Sequence, residues 1–183
     1  IYDLAKIKRV IVSTYQAVSG AGKEGIDELD AQVREHSEGR EMTANILPSA
    51  SAEKHYPIAF NLIPQIDVFC DNLYTKEEMK MVNETKKIME DYEMRITATT
   101  IRVPVYRSHS ESVNIELEKE VDLGAMREAL AKFPGVTVQD DPSKQEYPMP
   151  LYTSEKDDVY VGRLRRDESC EKSYNMWVVG DQI

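Results

Sequence analysis

The segment Arg95–Leu117, RITATTIRVPVYRSHSESVNIEL, decides the fold class of this chain. It holds two strand-like runs, Arg95–Val105 and Ser112–Leu117, and the second alternates apolar and polar residues as a half-buried strand does. No helical pattern stands between them, and strands and helices do not alternate regularly elsewhere, which argues against a doubly wound parallel sheet. We predict an α+β domain with a mixed, mainly antiparallel sheet covered by helices.

The rest of the chain supplies the other elements of this domain. Further strands are predicted at Lys8–Tyr15, Val136–Val138, Val159–Leu164 and Asn175–Val179. Apolar residues at helical spacing predict helices at Lys23–His36, Thr75–Asp91 and Leu123–Phe133. Thr75 with Glu78 three residues later has the capping-box arrangement of a helix start. Between these elements we expect a polar loop, an irregular core-lining segment and a proline-rich loop, at His36–Glu53, Tyr56–Phe69 and Tyr147–Leu151.

Composition limits the function classes that the chain can serve. Its 183 residues suffice for one domain with its own core, and no internal repeat or low-complexity linker divides them. The net charge of −10 argues against a nucleic-acid groove. No apolar run is long enough to span a membrane, and no signal peptide opens the chain. The two cysteines, Cys70 and Cys170, lack disulfide or metal spacing, so we expect a soluble, cytoplasmic domain without metal.

Arg102 and His109 are the most suggestive pair of polar residues in the opening segment. A guanidinium that binds a carboxylate with two donors, beside an imidazole that titrates near neutrality, makes a substrate clamp with a proton-transfer group. Their odd spacing would send them to opposite faces of one straight strand, but Pro104 and the polar residues after it allow a turn or bulge. Spacing alone favours the alternative, which is a surface arginine and a hydrogen-bonded histidine at a strand end.

The glycine-rich segment Gly20–Gly25, GAGKEG, matches the G-x-G-x-x-G pattern of dinucleotide-binding folds. That motif needs a second strand ending in an acidic residue, but here a polar stretch follows the predicted helix. Lys23 is followed by Glu24 rather than by serine or threonine, which argues against a phosphate-binding P-loop. What remains is a strand–glycine–helix turn whose exposed amides could contact a ligand.

Glu77 and Lys80 lie three residues apart in the first turns of the helix that begins at Thr75. This spacing places both side chains on one helix face, where they could hold an ammonium group and a phosphate. The alternative, an ordinary solvated ion pair, is favoured for this pair taken alone. Neither Cys70 nor Cys170 lies next to a likely histidine or a nest of backbone amides in sequence, and we expect neither to be a nucleophile.

Five segments together resemble the aspartate-β-semialdehyde dehydrogenase family. They follow one another in the order of the family: Val12–Gly22, His55–Asp67, Thr75–Met89, Ala98–Glu111 and Met176–Gln182. The resemblance implies a fold like the carboxy-terminal domain of glyceraldehyde-3-phosphate dehydrogenase, with residues 1–183 forming one catalytic and dimerisation domain. The NADP-binding Rossmann domain with the catalytic cysteine would precede Ile1, and a helix would follow Ile183. This fragment alone is expected to be inactive.

The resemblance also implies a catalytic and substrate-binding set. His109 would be the general acid/base that serves the thiol and the hemithioacetal, and Gln16 would orient the acyl intermediate. Arg102 would bind the substrate's α-carboxylate, Glu77 its amino group and Lys80 its phosphate.

Three more residues resemble the family's cofactor site. Ser19 and Gly20 match the turn beside NADP, and Gln182 matches the residue near the nicotinamide carboxamide. Thr100 departs from relatives that carry a non-nucleophilic cysteine at this position, which puts little in doubt.

The activity that the resemblance implies is the NADPH-dependent reductive dephosphorylation of β-aspartyl phosphate to aspartate semialdehyde and phosphate. This reaction serves lysine, methionine and threonine biosynthesis. The expected partners are this small-molecule substrate and a second copy of the chain, with no nucleic acid and no membrane. Two alternatives stay open. One is a non-catalytic substrate-binding and dimerisation module, and the other is a reductase of the N-acetyl-glutamyl-phosphate type, whose substrate offers Glu77 no ammonium group.

Overall fold

The strands and helices follow the order that the sequence predicts. A computed structural model describes residues 1–182, so Ile183, the last residue of the predicted domain, lies outside the described residues. The strands are β1 Ile7–Gln16, β2 Arg95–Arg102, β3 His109–Leu117, β4 Val136–Val138, β5 Val159–Arg166 and β6 Ser173–Gly180. The helices are α1 Gly22–Ser37, α2 Lys76–Ile88, α3 Leu123–Ala131 and the single turn α4 Pro150–Thr153.

One six-stranded sheet organises the described part of the chain, in the order β2-β1-β3-β6-β5-β4. The central pairs β1–β3, β3–β6 and β6–β5 are antiparallel, whereas the edge pairs β1–β2 and β5–β4 are parallel. The predicted mixed, mainly antiparallel sheet is therefore confirmed. Because β1 runs parallel to β2 and antiparallel to β3, the end of β1 lies between the end of β2 and the start of β3.

The main core lies where α3 packs against β4 and β5. Met126 of α3, Leu117 of β3 and Tyr174 of β6 are completely buried in it. The Tyr174 hydroxyl donates to the carbonyl of Val121 at 2.7 Å and accepts from its amide at 2.8 Å, so its polar atom is satisfied. Burial of each large apolar side chain contributes about 1.5–3 kcal/mol. The core extends to β1, whose Ile7 and Val10 pack against it.

A second, smaller core lies under the irregular segment after α1. Its buried members are Val18, Leu29, Leu47, Ile58, Ala59 and Ile63. Gln32 of α1 is fully buried and accepts the amides of Ile58 and Ala59 at 2.8 and 3.0 Å through its side-chain oxygen. Tyr56–Phe69 lines the core in part, since its isoleucines are buried while its aromatic residues and Leu62 are exposed. A bridge between Ile63 and Arg102 attaches the segment to the end of β2.

The start of α2 is tied to β2 by the predicted capping box. The Thr75 hydroxyl accepts from the Glu78 amide at 3.2 Å, and the Glu78 carboxylate accepts from the Thr75 amide at 2.8 Å. The other oxygen of Glu78 accepts from the Thr100 amide of β2 at 3.0 Å. One buried carboxylate therefore sets the first turn of α2 against the edge strand, with Glu77 facing the end of β1.

Glu78→Ala is expected to lower the free energy of unfolding by about 2 kcal/mol, because the buried Thr75 and Thr100 amides lose their acceptor. The matched control is Glu84→Ala, an exposed glutamate of the same helix, for which the change should stay within about 0.5 kcal/mol. Urea unfolding of both variants measures the difference. Equal losses would contradict the assignment of Glu78 as the tie between helix and sheet.

Several predicted boundaries shift in the structure. The strand predicted to reach Val105 ends at Arg102, and the strand predicted from Ser112 begins at His109. Proline has no backbone N–H to donate to the ladder, so the chain leaves the sheet before Pro104. The helix predicted to end at Phe133 ends at Ala131, and α4 begins inside the proline-rich loop.

Candidate active site

Three predicted site residues meet where strands β1, β2 and β3 come together. Gln16, the last residue of β1, pairs with Arg102, the last residue of β2. His109 is the first residue of β3, whose antiparallel register with β1 begins at Ser110 and Tyr15. Arg102 and His109 therefore flank the end of β1 from two different strands. The predicted turn between them exists, and the odd spacing is irrelevant because no single strand contains both.

His109 is held by the backbone that follows β1. Its Nδ1 accepts a hydrogen bond from the Ala17 amide at 3.0 Å. A nitrogen that accepts carries no proton, so the proton of the neutral ring is on Nε2. The resting ring is consequently a hydrogen-bond donor at the nitrogen that Ala17 leaves free.

The surroundings of His109 favour its neutral form. Burial lowers the pKa of His109 to about 4, the positive charge of Arg102 acts in the same direction, and the Asp181 carboxylate opposes them. The ring is therefore uncharged at neutral pH, in agreement with the accepting role of Nδ1.

Arg102 is almost completely buried, with 4% of its surface exposed. Its Nη1 donates to the Ala17 carbonyl at 2.7 Å, whereas its Nε is buried without a hydrogen-bond partner. Burial lowers the pKa of Arg102 to about 10, against the opposing effect of Glu77, so the guanidinium keeps its charge at neutral pH. A buried, charged donor without a partner costs free energy unless a ligand satisfies it. The bland alternative of a surface arginine is wrong.

Glu77 and Lys80 extend this cluster from α2. Gln16 donates from Nε2 to Glu77 at 3.3 Å, which joins the helix to the strand end. Glu77 lies 3.9 Å from the Lys80 ammonium, so the predicted i,i+3 pair on one helix face is confirmed. The Glu77 side chain is 24% exposed and that of Lys80 57%, which places the lysine at the solvent rim.

The glycine-rich segment closes the cluster on the side of β6. Gln182 donates from Nε2 to the Ser19 hydroxyl at 3.0 Å, while its Oε1 is buried without a partner. Gly20 leaves room for two neighbouring side chains, because a Cβ there would lie 2.6 Å from Nη1 of Arg102 and 3.4 Å from Nε2 of Gln182. The segment forms a 3-10 turn at Val18–Ala21 and then α1, and no strand follows α1 before β2, in agreement with the sequence argument against a dinucleotide fold.

The structure thus brings together every residue that the sequence argument selected, and it adds two others. Ala17 contributes only backbone atoms, its amide to His109 and its carbonyl to Arg102. Asp181 accepts the amides of Ser108 and Glu155. No sequence pattern signals these contacts, because Ala17, Ser108 and Glu155 take part in them through backbone atoms, which do not depend on the identity of the residue.

Two other kinds of site have no counterpart in the described residues. Within residues 1–182, histidine, cysteine, aspartate and glutamate side chains form no group of three that could hold a metal ion. The helices of this range are too short or too polar to cross a membrane.

Comparison with known proteins gives a consistent answer over the whole chain. Residues 1–183 match the family model described as semialdehyde dehydrogenase, dimerisation domain. Aspartate-semialdehyde dehydrogenase of Aquifex aeolicus is 50% identical over 183 residues, covering 100% of this chain and 52% of that protein. The Bacillus subtilis enzyme is 49% identical over 178 residues, covering 97% of this chain and 51% of its own length.

A solved structure shows the same architecture. Aspartate semialdehyde dehydrogenase II of Vibrio cholerae, crystallised as a complex with ASA, superposes with a TM-score of 0.90 at 41% identity. The match covers 98% of this chain and 51% of that one, so the chain spans about half the length of the relatives it matches. The chain belongs to the semialdehyde dehydrogenase dimerisation-domain family.

Proposed function

We propose that this chain supplies the substrate-binding and proton-transferring half of the active site of an NADP-dependent aspartate-semialdehyde dehydrogenase. The reaction is the reductive dephosphorylation of β-aspartyl phosphate to aspartate semialdehyde and phosphate. The observation that carries the proposal is the buried Arg102, whose unpartnered Nε lies in a cluster with Glu77 and His109. A sequence identity of about 50% with aspartate-semialdehyde dehydrogenases supports the proposal.

The charges of the cluster suit an α-amino acid. A substrate carboxylate would take the free Nε side of Arg102, since Nη1 is engaged by Ala17. The substrate ammonium group would be held by Glu77, and Gln16 would keep that carboxylate in place through their hydrogen bond. Lys80, exposed at the rim, would bind the phosphate as a mobile point charge.

His109 would act at the reacting carbonyl. Its Nε2–H would donate a hydrogen bond to the oxygen that gains negative charge, which lowers the barrier because the donor is already in place. To donate a proton as a general acid, the ring would first have to take up a second proton at Nδ1, in place of the hydrogen bond from Ala17. Asp181 favours this charged form and Arg102 disfavours it.

The residues near β6 fit the cofactor that this reaction needs. NADPH, when bound, supplies the hydride. The unpartnered Oε1 of Gln182 is an acceptor suited to the amide group of a nicotinamide, while its Nε2 is held by Ser19. Gly20 lets the Arg102 guanidinium and the Gln182 amide lie close to this turn, since a Cβ there would be 2.6 Å from Nη1 of Arg102 and 3.4 Å from Nε2 of Gln182.

The chain would work as part of a longer protein and with a second copy of itself. We propose that the half of the relatives that this chain does not match carries the NADP-binding domain and the cysteine nucleophile, as the family resemblance implies. Residues 1–183 would then form a single catalytic and dimerisation domain. The dimerisation named in the description of the matching family supports a homodimer.

Glu77→Gln in the full-length protein is expected to raise the KM for aspartate semialdehyde by about 10- to 100-fold, because the ammonium group loses a charge-assisted hydrogen bond. Glu84→Gln, on the exposed side of the same helix, is the matched control and should leave KM unchanged. Steady-state kinetics in the oxidative direction, with NADP and phosphate saturating, measures both. An unchanged KM for Glu77→Gln would contradict the assignment, and it would favour a substrate with an acylated amine.

A further inference from the structure

Two residues near the site adopt the left-handed backbone conformation that glycine tolerates and other residues rarely do. Ser108, immediately before His109, has φ of 68°, and Glu155, after α4, has φ of 64°. Such conformations are unfavourable, persist only where surrounding contacts enforce them, and are concentrated at functional sites. The contacts that enforce these two are therefore informative.

A single carboxylate holds both of them. Asp181 accepts the Ser108 amide at 3.1 Å through one oxygen and the Glu155 amide at 2.7 Å through the other. Side-chain hydroxyls join the same two segments, since Thr153 donates to Ser108 at 3.1 Å and Ser154 lies 3.4 Å from it. Ser108 and Thr153 are buried, so the hydroxyl contacts between the turn before β3 and the end of α4 are shielded from water, whereas the bond from Glu155 to Asp181 is exposed.

The position of Asp181 in the chain connects these hydrogen bonds to two parts of the candidate site. One of its partners, Ser108, precedes His109, and its own neighbour Gln182 contacts Ser19. Two charged groups act on the His109 ring in opposite directions, Arg102 from β2 and Asp181 after β6. Asp181 is the one of the two that stabilises a positive ring.

We infer that Asp181 is a positioning residue for the reaction, one that locks the turn that orients His109 and links it to the cofactor-side Gln182. The inference rests on the proposed function for its kinetic consequence, whereas the locking of the turn stands on the hydrogen bonds alone. Removal of the negative charge should disturb the ring of His109 and the placement of Gln182 together. It should leave the Arg102 and Glu77 contacts to the substrate intact.

The test is Asp181→Asn in the full-length enzyme. An asparagine carries no charge and keeps only one acceptor oxygen, so it cannot accept from the Ser108 and Glu155 amides at the same time. We expect kcat to fall about 10- to 100-fold and the KM for NADP to rise severalfold, with the KM for aspartate semialdehyde within about twofold of wild type. The matched control is Asp141→Asn, an aspartate that likewise accepts the amide of a turn residue, Ser143, and should leave all three constants unchanged.

A readout independent of activity separates this inference from the proposed function. The ring ¹⁵N chemical shifts of His109, measured by NMR, should change in Asp181→Asn and not in Asp141→Asn. Unchanged ring shifts would overturn the inference that Asp181 holds the turn before His109. Changed shifts with wild-type kcat would overturn the role of Asp181 in the reaction. Absence of activity in the wild type would refute the proposed function, while the ring shifts would still decide the lock. Should Asp181→Asn fail to fold, Asp181→Glu, which keeps the charge, replaces it, and wild-type ring shifts and kcat there would overturn the requirement for aspartate geometry.

Discussion

His109→Ala is expected to lower kcat by about 100- to 10,000-fold, the usual contribution of a positioned proton-transfer group, while the KM for aspartate semialdehyde changes by less than about threefold. The physical reason is that the neutral ring, held at Nδ1 by the Ala17 amide, presents Nε2–H to the oxygen that becomes negative. An alanine leaves that oxygen without a donor at the transition state. The ground-state contacts of the substrate with Arg102 and Glu77 remain.

The matched control for this change is His36→Ala, at an exposed histidine near the end of α1. It should reduce kcat by less than about twofold, since surface substitutions away from a site are usually neutral. Steady-state kinetics of both variants in the full-length protein, with circular dichroism to verify folding, makes the comparison. A rise in KM with kcat preserved would show that His109 binds substrate rather than acting on it.

The lowered pKa of His109 also predicts how the stability of the protein depends on pH. Burial lowers its pKa to about 4 in the folded state, below the usual value of 6.5, so the unfolded chain binds more protons between these two pH values. The free energy of unfolding should therefore decrease as the pH falls from about 6.5 to 4, and this component should be absent in His109→Ala. Urea unfolding of the two proteins across that range tests the sign.

Arg102→Lys is expected to raise the KM for aspartate semialdehyde by about 100-fold and to change kcat by less than about fivefold. A lysine ammonium that reaches the Ala17 carbonyl, as Nη1 does at 2.7 Å, has no second rigid donor for the substrate. The guanidinium, in contrast, donates to Ala17 and keeps Nε free. The loss is one of two-point binding, so it appears mainly in the affinity for the substrate carboxylate.

The same substitution at the other end of the same strand provides the control. Arg95 is exposed and contacts Glu116 at 3.3 Å, so Arg95→Lys should alter neither constant by more than about twofold. A similar rise in KM in both variants would mean that strand β2, rather than the guanidinium, is being disturbed. A fall in kcat without a change in KM for Arg102→Lys would reverse the roles given to Arg102 and His109.

Sequence patterns predict most of this fold because hydrophobic periodicity and capping act locally. The α2 capping box at Thr75 and Glu78 and the alternation in β3 each follow from residues a few positions apart. Strand ends are harder to predict. The strand predicted to reach Val105 ends at Arg102, because the run of apolar residues continues past Arg102 while the hydrogen-bonded ladder does not. The pairing order of the strands depends on distant partners, which the local pattern does not contain.

The candidate site divides in the same way. Side chains with distinctive chemistry, such as Arg102, His109 and Glu77, can be selected from the sequence. That Arg102 and His109 converge across β1 depends on sheet order, so spacing along the chain misleads. The contributions of Ala17 and of the amides bound by Asp181 come from backbone atoms that every residue carries.

The backbone of one residue, Ala17, binds both His109 and Arg102. Under the proposed function, this fixes the length of substrate that the site accepts. His109, the donor for the reacting carbonyl, is hydrogen-bonded to the Ala17 amide, and Arg102, which binds the α-carboxylate, is hydrogen-bonded to the Ala17 carbonyl. The distance between the two side chains is therefore set by one residue of main chain. A glutamate-type substrate, one methylene longer, would place its reacting carbon past the histidine. Selectivity for the four-carbon chain would then depend on the spacing that the Ala17 main chain sets between the Arg102 and His109 side chains.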